Sequence, residues 1–192
     1  AHARAAEAVA AVAAQFPRVS VRLKSGWSAD LAEQHRLGLL DAAIILSDGS
    51  RFHDAERIGE ERLIAIGARD PAMKRKAKSK YGWVLSPDPC DARRSLASQL
   101  ARESRSLTVV AEVEDANLQM GLVRQGIGLG LMPKRLFDRE PPPGIIEANV
   151  LRSALRLDAL MLRSPHLGVL RKVADAVANE MRQFMADAYR LT

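Results

Sequence analysis

The chain has 192 residues, 47% of them hydrophobic, which is enough apolar material for one or two compact cores. Its single cysteine, Cys90, excludes an internal disulfide framework and suits a reducing compartment, and the four histidines (His2, His35, His53 and His166) show no metal-ligand spacing. The net charge of +6 is local: Lys74, Arg75, Lys76, Lys78 and Lys80 form one acid-free run, and without them 24 basic residues face 23 acidic ones, which removes the general case for nucleic-acid binding.

Taken in order, residues 1–15 are alanine-rich, with Val9, Ala13 and Phe16 on one stripe, and predict a helix ending at Pro17. Residues 19–24 alternate apolar and polar as a strand, and Ser25-Gly26-Trp27-Ser28 reads as a turn whose last serine caps a helix over 29–39. Residues 41–46, DAAIIL, form a buried strand closed by the turn Ser47-Asp48-Gly49-Ser50. LIAIG at 63–67 is another short strand, followed by a linker over 70–80. The basic run within it has no interleaved aromatics, only Tyr81 and Trp83 after it, and reads as a solvated loop rather than a phosphate-tracking patch.

Residues 83–85 read as a strand, Ser86-Pro87-Asp88-Pro89 as a stiff loop, and Asp91 as the cap of a helix over 92–104. Thr108 opens a strand that leads into VEDANLQMGLVRQGIGLGLMP at 113–133. There Asp115 caps a short helix carrying Leu118 and Leu122, Gly126 supplies a left-handed stop, and the apolar run 127–132 predicts a parallel strand ended by Pro133. A helical turn at 133–137, strands at 145–150 and 157–162, and a last amphipathic helix complete the chain. In that helix Leu167, Leu170, Val173, Val177, Met181 and Phe184 face inward, while Lys172, Asp175, Asn179, Arg182 and Asp187 face solvent.

Strands alternating with helices predict an α/β fold with mostly parallel sheets, in two sets separated by the linker. No stretch approaches the ~20 apolar residues of a membrane span, and the start lacks the basic, apolar and small-residue progression of a signal peptide, so the chain reads as soluble. Gly126, Gly128 and Gly130 follow a helix and open a strand, the reverse of a dinucleotide-binding loop. Cys90 precedes a capped helix, but no partner thiol accompanies it. Glu60 and Glu61 are adjacent, and on an extended segment they point to opposite faces and cannot share a proton. No nucleophile, base and orienter set is present, so neither an enzyme nor a cofactor is expected.

FPRVSVRL, GWSADLAEQHRLGLLDAAII, ERLIAIGARDP and the 113–133 run together resemble the effector-binding domain of LysR-type transcriptional regulators over most of the chain. The most specific piece is LVxxGxGxxLxP at Leu122, Val123, Gly126, Gly128, Leu131 and Pro133; the looser LxxGxLDxAI pattern at Leu37, Leu40, Asp41, Ala43 and Ile44 supports it. The resemblance implies two Rossmann-like lobes of the type 2 periplasmic-binding-protein kind, joined by two crossing hinge strands near 65–70 and 157–163. Lobe I would be 1–68 with 158–192, and lobe II 69–157. A small-molecule effector would sit between them, lined by Ser25, Gly26, Trp27 and Ser28, by Val113, Glu114 and Asp115, and by Ala68 and Arg69 near the hinge.

It also implies a cytoplasmic homodimer or homotetramer that meets promoter DNA through a winged helix-turn-helix. No such motif lies in these residues, so this chain alone is not expected to read DNA. The family's opening strand and hydroxyl-bearing loop are not seen either, because Ala1 already begins the helix after them. Beside these functional roles stand plainer ones: Ser28 and Asp115 as helix caps, Trp27 as a packing aromatic, Arg69 as a solvated charge. Glu114 next to Asp115 disfavours an organic anion on that wall unless backbone N–H groups or Arg69 offset it. The alternative readings are an exported solute-binding protein with the same lobes and, more distantly, an enzyme on the same scaffold.

Overall fold

The computed structural model describes residues 2–49, 52–53, 55–69 and 82–187. The basic run at 74–80, Ser50 and Tyr81 lie outside the described residues. Contacts divide the chain into one unit of Ala1–Glu61 with Asp158–Thr192 and a second of Arg62–Leu157.

The first unit is built on α1 (His2–Gln15), α2 (Ser28–Arg36), β1 (Ala42–Ser47), the first part of β2 (Glu56–Ala68), most of β7 (Leu155–Arg163), a 3-10 turn (Gly168–Leu170) and α6 (Arg171–Asp187). β1 pairs antiparallel with β7, from Ala42 opposite Arg163 to Ser47 opposite Asp158. The run AAIIL is apolar throughout because both faces of this pair are covered. Ala43 and Ile45 on one face join Leu160 against Leu31 and Ala32 of α2. Ala42, Ile44 and Leu46 on the other join Ala159 and Met161 against Ala174, Ala178 and Met185 of α6. The period of two in the strands thus meets one helix per face. α1 packs along α6.

The second unit holds β3 (Gly82–Leu85), α3 (Asp91–Arg102), β4 (Thr108–Glu112), α4 (Ala116–Arg124), β5 (Gly130–Pro133), α5 (Lys134–Arg139), β6 (Ile145–Glu147) and the second part of β2. There β2 pairs antiparallel with β5 and with β6. β3 pairs in parallel with β4, and Leu129 makes a parallel bridge to Trp83. Ile64, Ile66, Val84, Val123 and Ile145 form its buried centre, with Met120 and Leu122 of α4 and Phe137 of α5 packed against it.

Two helices stop by the same mechanism. After α2, Gly38 at φ 73° donates its N–H to His35 O and Leu39 donates to Gln34 O. After α4, Gly126 at φ 75° donates to Val123 O and Ile127 donates to Leu122 O. This crossed pair of bonds satisfies last-turn carbonyls and requires a left-handed residue, which glycine adopts at little cost.

Several expectations are corrected. Residues 19–24 form no strand: the alternation is present, but those residues have no ladder partner, and a strand exists only as part of a pair. The sheets are not mostly parallel; of the described registers only β3–β4 is. The run 127–132 becomes a strand only from Gly130, and it runs antiparallel to β2. Among the described side chains of α1, Val12 is buried and Ala13 is exposed. In α6 the deepest line runs through Ala174, Ala178 and Met185, and Val177, Met181 and Phe184 flank it; the two alanines let that stretch of the helix approach the sheet closely. Asp91 is not a cap: Cys90 holds that position with no side-chain bond, and Asp91, the first helical residue, is buried and paired with Arg94 at 2.6 Å.

Candidate functional site

In the first unit Ser25, Gly26 and Trp27 are exposed and belong to no helix or strand. Trp27 takes the N-cap position of α2 in an extended conformation, and its carbonyl accepts the first helical bond, from Leu31 N–H at 3.0 Å. The N–H groups of Ser28, Ala29 and Asp30 therefore precede the helical ladder and have no partner within it. Ser28 does not cap α2. Its Oγ accepts the Leu46 N–H of β1 at 3.0 Å, across 18 residues of chain. That bond uses an acceptor lone pair, and the hydroxyl proton is a separate donor. The segment 25–28 thus combines an aromatic surface, a hydroxyl held by its own acceptor bond and the donor-rich start of a nine-residue helix.

In the second unit the parallel strands β3 and β4 end at Leu85 and Glu112, and the Val113 N–H donates to Leu85 O at 2.9 Å. Asp115 is the cap of α4, accepting the Leu118 N–H at 2.7 Å. One turn into α4, the Gln119 side-chain amide donates to Ser86 Oγ at 3.0 Å and also to the Val113 carbonyl. Gln119 therefore ties the carboxyl ends of both parallel strands to the start of one helix. Ligands gather at such edges in open α/β sheets.

Ser86 is buried beside these strand ends, a placement that sequence reasoning missed. Its signal was a hydroxyl directly after the apolar strand WVL, which was absorbed into the reading of a stiff loop. Arg93, at the start of α3, does not offer a free cation here. It pairs with Glu112 at 2.6 Å and Asp88 at 3.3 Å, and reaches Ser86 O at 3.4 Å. Val113 is half-buried, whereas Glu114 and Asp115 are exposed. Ala68 is buried at the end of β2 opposite Ile145, and the exposed Arg69 donates its backbone N–H to Gly144 O at 2.9 Å. Segment 25–28 lies in the first unit, and 68–69, 86 and 113–119 lie in the second.

Among the described residues no group of three or more His, Cys, Asp or Glu is placed to hold a metal ion, and no helix is long and apolar enough to cross a membrane. Cys90 forms no disulfide and is half-buried at the start of α3.

Residues 1–186 match the LysR substrate binding domain. The chain belongs to that family. Solved structures agree on the fold. The chain is 17% identical to a Corynebacterium glutamicum OxyR C206 mutant at TM-score 0.71, with 98% of this chain and 63% of that one covered. Against the cofactor-binding domain of the Cbl transcriptional regulator the identity is 15% and the TM-score 0.71, covering 93% and 86%. Against the effector binding domain of QuiR in complex with shikimate they are 16% and 0.69, covering 94% and 90%. The LysR domain seen here spans 63% of the OxyR chain it matches. No curated protein matches it.

The fold is the type 2 periplasmic-binding-protein-like fold of LysR substrate-binding domains. Family and fold are those of effector-binding domains of transcription regulators, which are not enzymes. The family match also disfavours the solute-binding-protein reading.

Proposed function

We propose that this LysR domain senses a small-molecule effector held between two lobes, lobe I of residues 1–68 with 158–192 and lobe II of 69–157. Ser25, Gly26, Trp27 and Ser28 would contact the effector from lobe I. Val113, Glu114 and Asp115 would contact it from lobe II, with Ser86 added to that wall and Ala68 and Arg69 near the hinge. The observation that carries this reading is the Ser28 hydroxyl, anchored by Leu46 N–H while it sits at the donor-rich start of α2. A preset donor set of this kind recognises an acceptor on a ligand without first reorganising.

Effector binding would stabilise one arrangement of the lobes over another and so shift a conformational population. In the full-length cytoplasmic regulator the domain would also carry homodimer or homotetramer contacts and act on promoter DNA through a helix-turn-helix outside this chain.

A thermal-shift screen of small carboxylates, amino acids, aromatics and sugars tests the reading. A compound at 100 times its dissociation constant adds about 2.7 kcal/mol of stability. Ser28→Leu should abolish the response of any hit. A response left intact in that variant would remove Ser28 from the site, and the absence of a helix-turn-helix in the complete gene would overturn the regulator assignment.

A further inference from the structure

Ser86 and Gln119 form a polar pair in the second unit whose hydrogen-bond directions the surrounding backbone dictates. The Val113 carbonyl can only accept, so the Gln119 amide must turn Nε2 toward it rather than Oε1. The second Nε2 hydrogen goes to Ser86 Oγ at 3.0 Å. Both amide hydrogens are then committed. Because Ser86 Oγ is the acceptor in that bond, its own hydroxyl proton is still to be given. Among the described residues no acceptor takes that proton and no donor reaches Gln119 Oε1, although Ser86 is only 9% exposed.

The pair is held in place from three sides. The Val113 N–H donates to Leu85 O at 2.9 Å, Arg93 donates to Ser86 O at 3.4 Å, and the Gln119 backbone N–H donates to Asp115 O at 2.9 Å. One donor and one acceptor therefore stand preset beside each other, at the carboxyl edge of two parallel strands.

Three kinds of ligand group meet this pair differently. A carboxylate only accepts, so it leaves Gln119 Oε1 without a donor and adds a negative charge to a wall that already carries Glu114 and Asp115. Arg93 does not offset that charge, since it pairs with Glu112 at 2.6 Å and Asp88 at 3.3 Å. An ammonium only donates, and it leaves the Ser86 proton unused. An alcohol answers both with one oxygen, accepting from Ser86 and donating to Gln119 Oε1.

We propose that Ser86 and Gln119 recognise a hydroxyl group, so that the effector presents a neutral alcohol or polyol to this wall. Gln119 is at the same time the positioning residue that directs the Ser86 proton away from itself. The proposal rests on the effector reading above and adds to it the chemical class of ligand that this wall takes.

Proton–nitrogen correlation NMR of the nitrogen-labelled chain tests it, because the Gln119 side-chain amide gives a signal of its own. Cyclohexanol, cyclohexanecarboxylate and cyclohexylamine present one ring with three different heads, and each is titrated at neutral pH and equal ionic strength. Cyclohexanol should shift the Gln119 side-chain signal and the Ser86 backbone amide saturably, and bind at least about tenfold more tightly than the acid or the amine. Ser86→Ala should weaken cyclohexanol about tenfold. Gln119→Met should erase the preference for the alcohol over the other two, a ratio that a loss of stability alone leaves unchanged. No saturable shift, a preference for the acid or the amine, or undiminished binding in Ser86→Ala would each overturn the proposal. Ser28→Leu separates it from the reading it rests on. Binding that survives Ser28→Leu but not Ser86→Ala supports this contact and removes Ser28 from the site, whereas the reverse pattern overturns this contact and leaves the effector reading standing.

Discussion

The Ser28 hydroxyl accepts the backbone N–H of Leu46 at 3.0 Å, so the first residue of α2 is held by the end of the strand that α2 packs against. Ser28→Ala leaves that part-buried N–H without its acceptor and should cost about 1–2 kcal/mol. Ser28→Thr keeps the oxygen and should cost less. Urea denaturation of the three proteins measures the difference; equal stability of Ser28→Ala and the parent would mean that water replaces the bond.

Glycines 126 and 128 are required for different reasons, and the two substitutions separate them. A Cβ at Gly126 meets nothing within 4 Å, but the backbone is left-handed at φ 75°, so Gly126→Ala should cost about 1–2 kcal/mol of pure conformational strain. A Cβ at Gly128 would lie 2.7 Å from the Gly82 carbonyl oxygen and 3.0 Å from Val110. Gly128→Ala must push β3 away from the approach to β5 and should be the more destabilising. The reverse order in thermal melts would contradict this packing.

Asp115→Ala removes the α4 cap and should destabilise by about 1 kcal/mol, whereas Asp115→Asn keeps an acceptor and should be nearly neutral. The same pair separates capping from recognition. If Asp115 also touches the effector, Asp115→Asn loses affinity for a screening hit while keeping its melting temperature.

Ala178 is fully buried where α6 meets the sheet of the first unit. Ala178→Leu should cost about 1–3 kcal/mol through overpacking, while Val169→Ala, at 89% exposure, should change little. Equal effects in denaturant titrations would place α6 differently from the arrangement described.

Acid sensitivity follows from two carboxylates paired with arginines, Glu33 on the surface and Glu103 largely buried. The pKa of Glu33 is lowered chiefly by its hydrogen bonds from Arg36, and that of Glu103 chiefly by the one from Arg105. A lowered folded-state pKa contributes stability that is present above the unfolded value and lost as pH falls through the folded one. Glu33 is exposed, so its contribution is small and salt-screened, whereas the Glu103 side chain is largely buried and is screened less. Glu33→Gln/Glu103→Gln should therefore lower stability at neutral pH, chiefly through Glu103, and flatten its decline below the ordinary carboxylate range. An acid limb as steep as that of the parent would assign the sensitivity to other groups.

Much of this architecture was legible from local chemistry. Gly126 announced the end of α4, since a left-handed stop is a property of the residue and its neighbours in sequence. Asp115 announced the start of α4 for the same reason. The LVxxGxGxxLxP run marked the family because its glycines serve a turn and close packing that few other residues permit. What was misread required knowledge of a distant partner. Ser28 looked like a cap until Leu46 claimed its oxygen, and Ser86 looked like a turn residue until Gln119 reached it. Residues 19–24 have a strand's alternation but no ladder partner.

The sequence by itself determined the α/β class, the helices with their stops, and the LysR family, because helix signals and tight turns are written within a few residues. Only the tertiary structure decided strand direction, the deep line of α6 and the partner of the Ser28 hydroxyl. Strand pairs and side-chain bonds of this kind join residues far apart in the chain, and they exist only once those residues meet.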